Sequence, residues 1–116
     1  MIARTEEGLR KCLDKVLELQ RRAQDLHVEG SRIFNPGWFT ARDIQVMLKT
    51  SEIIVRCALE RRESRGAQWR TDYPNPDPEW ARKNLIATKD GDAVAITTRP
   101  VPELPPELAR LFEEAK

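Results

Sequence analysis

The sequence predicts a mainly α fold: two long antiparallel helices in a small bundle, followed by a C-terminal β-hairpin and a short terminal helix. Three observations carry that expectation. Apolar residues recur at alternating steps of three and four from Leu9 to Leu26, the spacing that places side chains on one helical stripe. A second run with the same period extends from Ile44 to Leu59. Near the end, the runs NLIAT and AVAIT flank an Asp-Gly signal, the pattern of two strands joined by a tight turn.

Taken in order, the first helix runs from Thr5 to about Leu26, with Leu9, Cys12, Val16, Leu19, Ala23 and Leu26 on its apolar stripe. Thr5 is its N-cap, and Glu6 and Glu7 place negative charge where the helix dipole favours it. His27, Gly30 and Ser31 mark the exit. The segment FNPGWF, residues 34–39, holds Pro and Gly between aromatics, which predicts a packed connection in which Phe34, Trp38 and Phe39 plug the end of the helix pair. Thr40 and Asp43 resemble a capping box, so the second helix is expected from Thr40, or a turn earlier, to Arg65, with Gly66 as left-handed C-cap.

That second helix carries two apolar faces. The broad one comprises Ile44, Met47, Leu48, Ser51, Ile54, Val55, Ala58 and Leu59; the narrow one, opposite, comprises Val46, Ile53 and Cys57. A helix apolar on both sides must be covered on both sides. The first helix covers the broad face, and the narrow one calls for the C-terminal part of this chain or a surface outside it. Pro74, Pro76 and Pro78 then impose an extended linker, with one helical turn at Pro78 to Arg82. The hairpin follows at about Asn84 to Thr98. A short helix from Pro106 turns Leu108, Leu111 and Phe112 to one side. The whole resembles a spectrin-repeat-like pair: residues 1–116 form one domain, with a helical hairpin over 1–72 and linker, β-hairpin and tail over 73–116.

The composition fits such a domain. The chain has 116 residues, 40% hydrophobic and 34% charged, with a net charge of +1, which excludes a disordered chain and any global field drawing it to nucleic acid or an acidic membrane. Cys12 and Cys57 lie in apolar-periodic segments, the setting of small buried thiols in a reduced compartment. No apolar run reaches the eighteen or so residues that span a bilayer, so no direct membrane insertion is expected. The N-terminal residues contain no apolar signal core. A cytoplasmic protein is expected.

The motifs of self-sufficient chemistry do not occur. The single histidine, His27, and two cysteines 45 positions apart give no metal-ligand spacing. Five scattered glycines build neither a dinucleotide fingerprint nor a phosphate loop. No catalytic, cofactor-binding or metal residue is assigned. The densest unusual segment is RRESRGAQWRTDYP, residues 61–74, where Arg61, Arg62, Arg65 and Arg70 alternate with Glu63 and Asp72 beside Trp69 and Tyr73. Its mixed signs suit an ion-paired network, internal or against a second protein surface. A solvated helix end and a nucleic-acid site using Arg61, Arg65, Arg70 and Trp69 are the other readings.

ALERRESRGAQWRTDYP, residues 58–74, resembles the A-x-x-R-x-E-S-R-G-A-H-x-R-x-D-[YF] signature of succinate dehydrogenase and fumarate reductase flavoprotein subunits, found more loosely in L-aspartate oxidases. Arg62, Glu63, Ser64, Arg65, Gly66, Ala67, Arg70, Asp72 and Tyr73 carry the likeness. GLRK at Gly8 to Lys11, Trp80 to Leu85, and RPV at Arg99 to Val101 follow in the same order. Gln68 stands where that family usually has His.

The resemblance implies the C-terminal helical domain of a flavoprotein that moves electrons between succinate or fumarate and an iron–sulfur subunit through FAD. It implies that FAD binds elsewhere in the complete subunit, that the flavin-binding and capping domains are the partners, and that any membrane association runs through partner subunits. The interface candidates are Arg62, Glu63, Ser64, Arg65, Gly66, Arg70, Asp72 and Tyr73, with Arg65 and Arg70 reaching across and Glu63 bracing them. The alternative is a stand-alone binding module, for nucleic acid for example, built on residues 61–73.

Overall fold

The computed structural model describes residues 3–114, apart from the side chains of residues 109 and 112–114; the expected orientation of Phe112 lies outside them. The elements are β1 (Ala3–Arg4), α1 (Glu6–Gln24), α2 (Pro36–Glu60), β2 (Trp69–Arg70), β3 (Lys83–Asp90), β4 (Ala93–Pro100) and α3 (Pro106–Glu114), with one 3₁₀ turn at Trp80–Arg82. The mainly α hairpin with a C-terminal β-hairpin is therefore present.

α1 begins where its cap dictates. The Thr5 hydroxyl accepts from the Gly8 N–H at 3.1 Å, while Glu6 and Glu7 occupy the positive end of the helix dipole. α2 begins a turn before Thr40. The Asn35 side-chain oxygen caps the Gly37 N–H at 3.0 Å, and Pro36 sits at the first helical position, where its missing N–H costs nothing. Thr40 instead lies inside the helix, its hydroxyl donating to the Pro36 carbonyl at 3.1 Å.

α1 and α2 pack antiparallel. Leu9, Val55 and Ala58 are buried together, flanked by Leu13 and Leu59, with Val16 and Ala23 buried farther along α1. Between them runs a polar layer that hydrophobic periodicity alone does not reveal. Glu52 is 2% exposed, its carboxylate accepting from Gln20 at 2.9 Å, Lys49 at 2.9 Å and Arg56 at 2.8 Å. Burial works against its charge, but these three donors prevail and hold its pKa at about 2.

Four expectations are corrected. Phe34 is 99% exposed and Trp38 and Phe39 are largely so; the earlier start of α2 turns both helical aromatics outward, where they pack edge to face on each other at 5.3 Å. Met47 and Ile54 face outward rather than toward α1. Cys12 is exposed while Cys57 is half-buried. Finally, α2 ends at Glu60, with Arg61 already extended at φ −77° and ψ 98°, so Gly66 is not its C-cap.

β3 and β4 pair antiparallel, Lys83 opposite Pro100 through Asp90 opposite Ala93. Gly91 at φ +57° opens the two-residue turn, a conformation that a side chain resists. The hairpin lies against the C-terminal part of this framework: Arg61 donates to the Lys83 carbonyl at 3.3 Å and stacks over Trp80 at 5.5 Å.

Candidate docking site at the end of the second helix

The last carbonyls of a helix have no partner within it. In α2 they are satisfied by the chain folding back. Arg70 donates from Nη1 to the carbonyls of Ala58 at 3.1 Å and Leu59 at 3.0 Å, and Gln68 donates to Ala58 at 3.3 Å. A guanidinium at the negative end of a helix dipole also fits its charge. Here the arginine comes from beyond the helix rather than from its last turn.

The other side of Arg70 binds Asp72, Nε at 3.0 Å and Nη2 at 2.6 Å, a two-pronged pair. Asp72 in turn accepts from the Glu6 N–H at 2.8 Å, so its carboxylate sits on the N-terminus of α1. One Arg–Asp pair thereby ties the C-terminus of α2 to the N-terminus of α1. The hydrogen bond from Arg70 holds the Asp72 carboxyl at about 2, and the same bond raises the Arg70 pKa. Tyr73 lies under the guanidinium, its ring centre 4.8 Å away.

A second cluster surrounds Glu63, which is fully buried. Its carboxylate accepts from Arg61 at 2.6 Å, from Arg65 at 3.1 Å and from the Asp77 N–H at 2.8 Å. Burial alone would raise its pKa, but these donors, Arg65 first, bring it below the ordinary value. Ser64, also buried, accepts from the Arg70 N–H at 2.8 Å and donates to the Tyr73 carbonyl at 2.8 Å. Arg65 reaches the Asp77 carbonyl at 3.1 Å, and the Ser64 N–H reaches the Asn75 carbonyl at 3.2 Å. The proline-restricted linker is thus pinned beneath the turn.

The turn itself is Arg65 to Gln68, closed by Arg65 N–H to the Gln68 carbonyl at 2.8 Å and the reverse bond at 3.0 Å. Gly66 has φ +57° and a Cβ there would meet nothing within 4 Å; the constraint is conformational, and the tip faces open space. Gln68 spends both ends of its amide, donating to Ala58 and accepting from Arg4 Nη1. β2 continues from it and pairs in parallel with β1, Trp69 beside Ala3 and Arg70 beside Arg4.

The structure therefore divides the expected contact strip into two sets. Arg62, Arg65, Gly66 and Trp69 lie toward the outside, Gly66 at the open tip, whereas Glu63, Ser64 and Arg70 turn inward; Tyr73 is half-buried, and Asp72 is exposed with its carboxylate on Arg70. The expectation that Arg70 reaches outward from this chain is corrected: its donors are taken by Ala58, Leu59 and Asp72. Arg61, Gln68 and Asp77 complete the network without standing among the candidates. The signal for Arg61 is its alternation with Glu63; the parts of Gln68 and Asp77 arise from tertiary contacts that no spacing encodes. Among the described residues, every buried side-chain nitrogen or oxygen has a hydrogen-bond partner, and no group of three or more His, Cys, Asp or Glu is placed to hold a metal.

A family model described as fumarate reductase flavoprotein C-term matches residues 1–107. The chain belongs to this family. Among its relatives, the fumarate reductase flavoprotein subunit of Haemophilus influenzae is 30% identical over 102 residues, 86% of this chain and 17% of that one. The succinate dehydrogenase flavoprotein subunit of Rickettsia bellii is 30% identical over 117 residues, 99% of this chain and 19% of that one. In structure, a chain of Mycobacterium smegmatis Sdh1 solved in complex with UQ1 superimposes with a TM-score of 0.78 at 37% identity, covering 98% of this chain and 20% of that one. The flavoprotein C-terminal domain described here thus spans about a fifth of the length of these relatives.

Proposed function

We propose that this chain serves as the docking domain of a flavoprotein subunit of the succinate dehydrogenase and fumarate reductase type, holding the flavin-binding and capping domains in place. In the complete subunit FAD would carry the oxidoreduction of succinate or fumarate. Electrons would pass to an iron–sulfur subunit, with any membrane attachment made through partner subunits. The observation that carries the reading is the contrast within residues 61–73. A fully buried base of Glu63, Ser64 and Arg70 supports an outward tip of Arg62, Arg65, Gly66 and Trp69. A tip held so firmly loses little further entropy when it docks. Nucleic-acid binding is disfavoured, because Arg70 is buried and the carboxylates of Glu63 and Asp72 offset the charge of the arginines around them.

The test uses the complete flavoprotein. Arg62→Glu and Trp69→Ala should lower flavin occupancy and melting temperature, while turnover normalised to bound flavin stays unchanged. Normal occupancy and melting temperature with turnover lost would make the strip catalytic and overturn the docking role.

A further inference from the structure

The turn at Arg65 to Gln68 is held from two sides that differ in permanence. Beneath it, Glu63, Ser64 and Arg70 are buried and hydrogen-bonded. Beside it runs β1, two residues long and paired with a β2 of two residues, Ala3 with Trp69 and Arg4 with Arg70. The Thr71 N–H and hydroxyl donate to the Arg4 carbonyl at 2.9 and 3.3 Å, the Glu6 N–H donates to Asp72 at 2.8 Å, and Arg4 Nη1 donates to the Gln68 side-chain oxygen. A two-stranded ribbon this short is marginal by itself in water. Ala3, Trp69, Thr71 and Asp72 are all exposed, so these bonds compete with solvent and open far more readily than the buried base.

Gln68 joins the two supports. Its backbone N–H and carbonyl close the turn with Arg65 at 3.0 and 2.8 Å, while its side-chain amide donates to Ala58 at 3.3 Å and accepts from Arg4. The residue that closes the turn is therefore tied on one side to the end of α2, which is fixed, and on the other to β1, which is not. We infer that β1 is a releasable strap on the docking tip: a surface seated on Gly66 and Ala67 tightens β1 onto β2, and withdrawal of β1 loosens the turn. This device rests on the docking reading above. It makes the order of the tip depend on the segment that carries β1, and linkage makes the influence equal in both directions. A static brace behaves differently, because it is equally tight whether the tip is seated or free.

Amide exchange in the complete flavoprotein separates strap from brace. The Arg65 and Gln68 amides report on the turn, those of Glu6 and Thr71 on the strap, and that of buried Val16 in α1 on the domain as a whole. Arg4→Met, which removes the bond to Gln68, should speed exchange at Arg65 and Gln68 about tenfold, the worth of one hydrogen bond to a charged group, with Val16 unmoved. Arg4→Lys, which keeps a donor, should restore most of that protection. In the other direction, Ala67→Glu places bulk at the tip without touching β1, and it should speed exchange at Glu6 and Thr71. Turn amides indifferent to Arg4→Met, or strap amides indifferent to Ala67→Glu, would overturn the inference; if Arg4→Met loosens Val16 as well, the Ala67→Glu arm decides. Flavin occupancy of the Ala67→Glu protein keeps the two readings apart: lowered occupancy with Glu6 and Thr71 unmoved refutes the strap and leaves the docking role standing, whereas unchanged occupancy counts against docking and leaves the Arg4→Met arm to judge the strap.

Discussion

At the scale of the residue, the decisive group is Arg70, a fully buried cation whose donors are divided among two helix-terminal carbonyls and one carboxylate. Removing one partner of such a pair leaves the rest dehydrated and unmatched, so Arg70→Met is expected to lower the unfolding free energy by about 3 kcal/mol in urea denaturation. Lys11→Ala, which breaks an exposed pair with Glu7, should leave the midpoint unmoved. Asp72 gives this clasp a pH dependence. Its folded pKa of about 2 lies below the ordinary value of 3.8, so its contribution is complete above about pH 4 and is lost as pH falls toward 2. The melting temperature should drop over that window, and Asp72→Asn should flatten the drop. Gln68 offers a subtler test. Gln68→His can reproduce the donor to Ala58 and the acceptor for Arg4 only as neutral imidazole, which depresses the folded pKa. That variant should therefore lose stability as pH falls below about 6.5, where wild type does not.

At the scale of the element, helix boundaries are less legible in the sequence than helix existence. The apolar period locates both long helices because burial of Leu9, Val16, Ala23, Val55 and Ala58 is what the period records. The Asp-Gly turn locates the hairpin for a similarly local reason, a left-handed residue where only glycine is at ease. The start of α2 is ambiguous because two cap signals compete and Asn35-Pro36 is the stronger, combining a side-chain acceptor with a preset backbone. Asn35→Ala should accordingly cost about 1 kcal/mol in chemical denaturation, and Thr40→Ala much less. The end of α2 differs from expectation because its cap is tertiary. Arg70 and Gln68 replace the glycine motif that a local reading of Gly66 supplies, and neither is close in sequence to Ala58. Buried Glu52 escapes a periodic reading because Lys49 and Arg56, at helical spacing from it, look like an exposed ion-paired face, while Gln20 reaches it from the other helix.

At the scale of the whole molecule, a chain measuring 64 × 35 × 28 Å has a small core and much apolar surface, with Phe34, Trp38, Phe39, Val46 and Met47 all open. Exposed patches of that kind belong to domains that are covered in their assembly. The family likeness is legible in residues 58–74, yet its division into buried base and outward tip is not, since alternating charges look alike whether they pair inward or outward. The central claim is that this tip docks within a larger flavoprotein, and amide hydrogen exchange tests it most directly. Exchange of the Gly66 and Ala67 amides, at the open tip of the turn, is compared between the 116-residue chain and the complete flavoprotein. Strong protection of both amides in the complete flavoprotein only is the predicted result; equal, rapid exchange in the two proteins would contradict the claim.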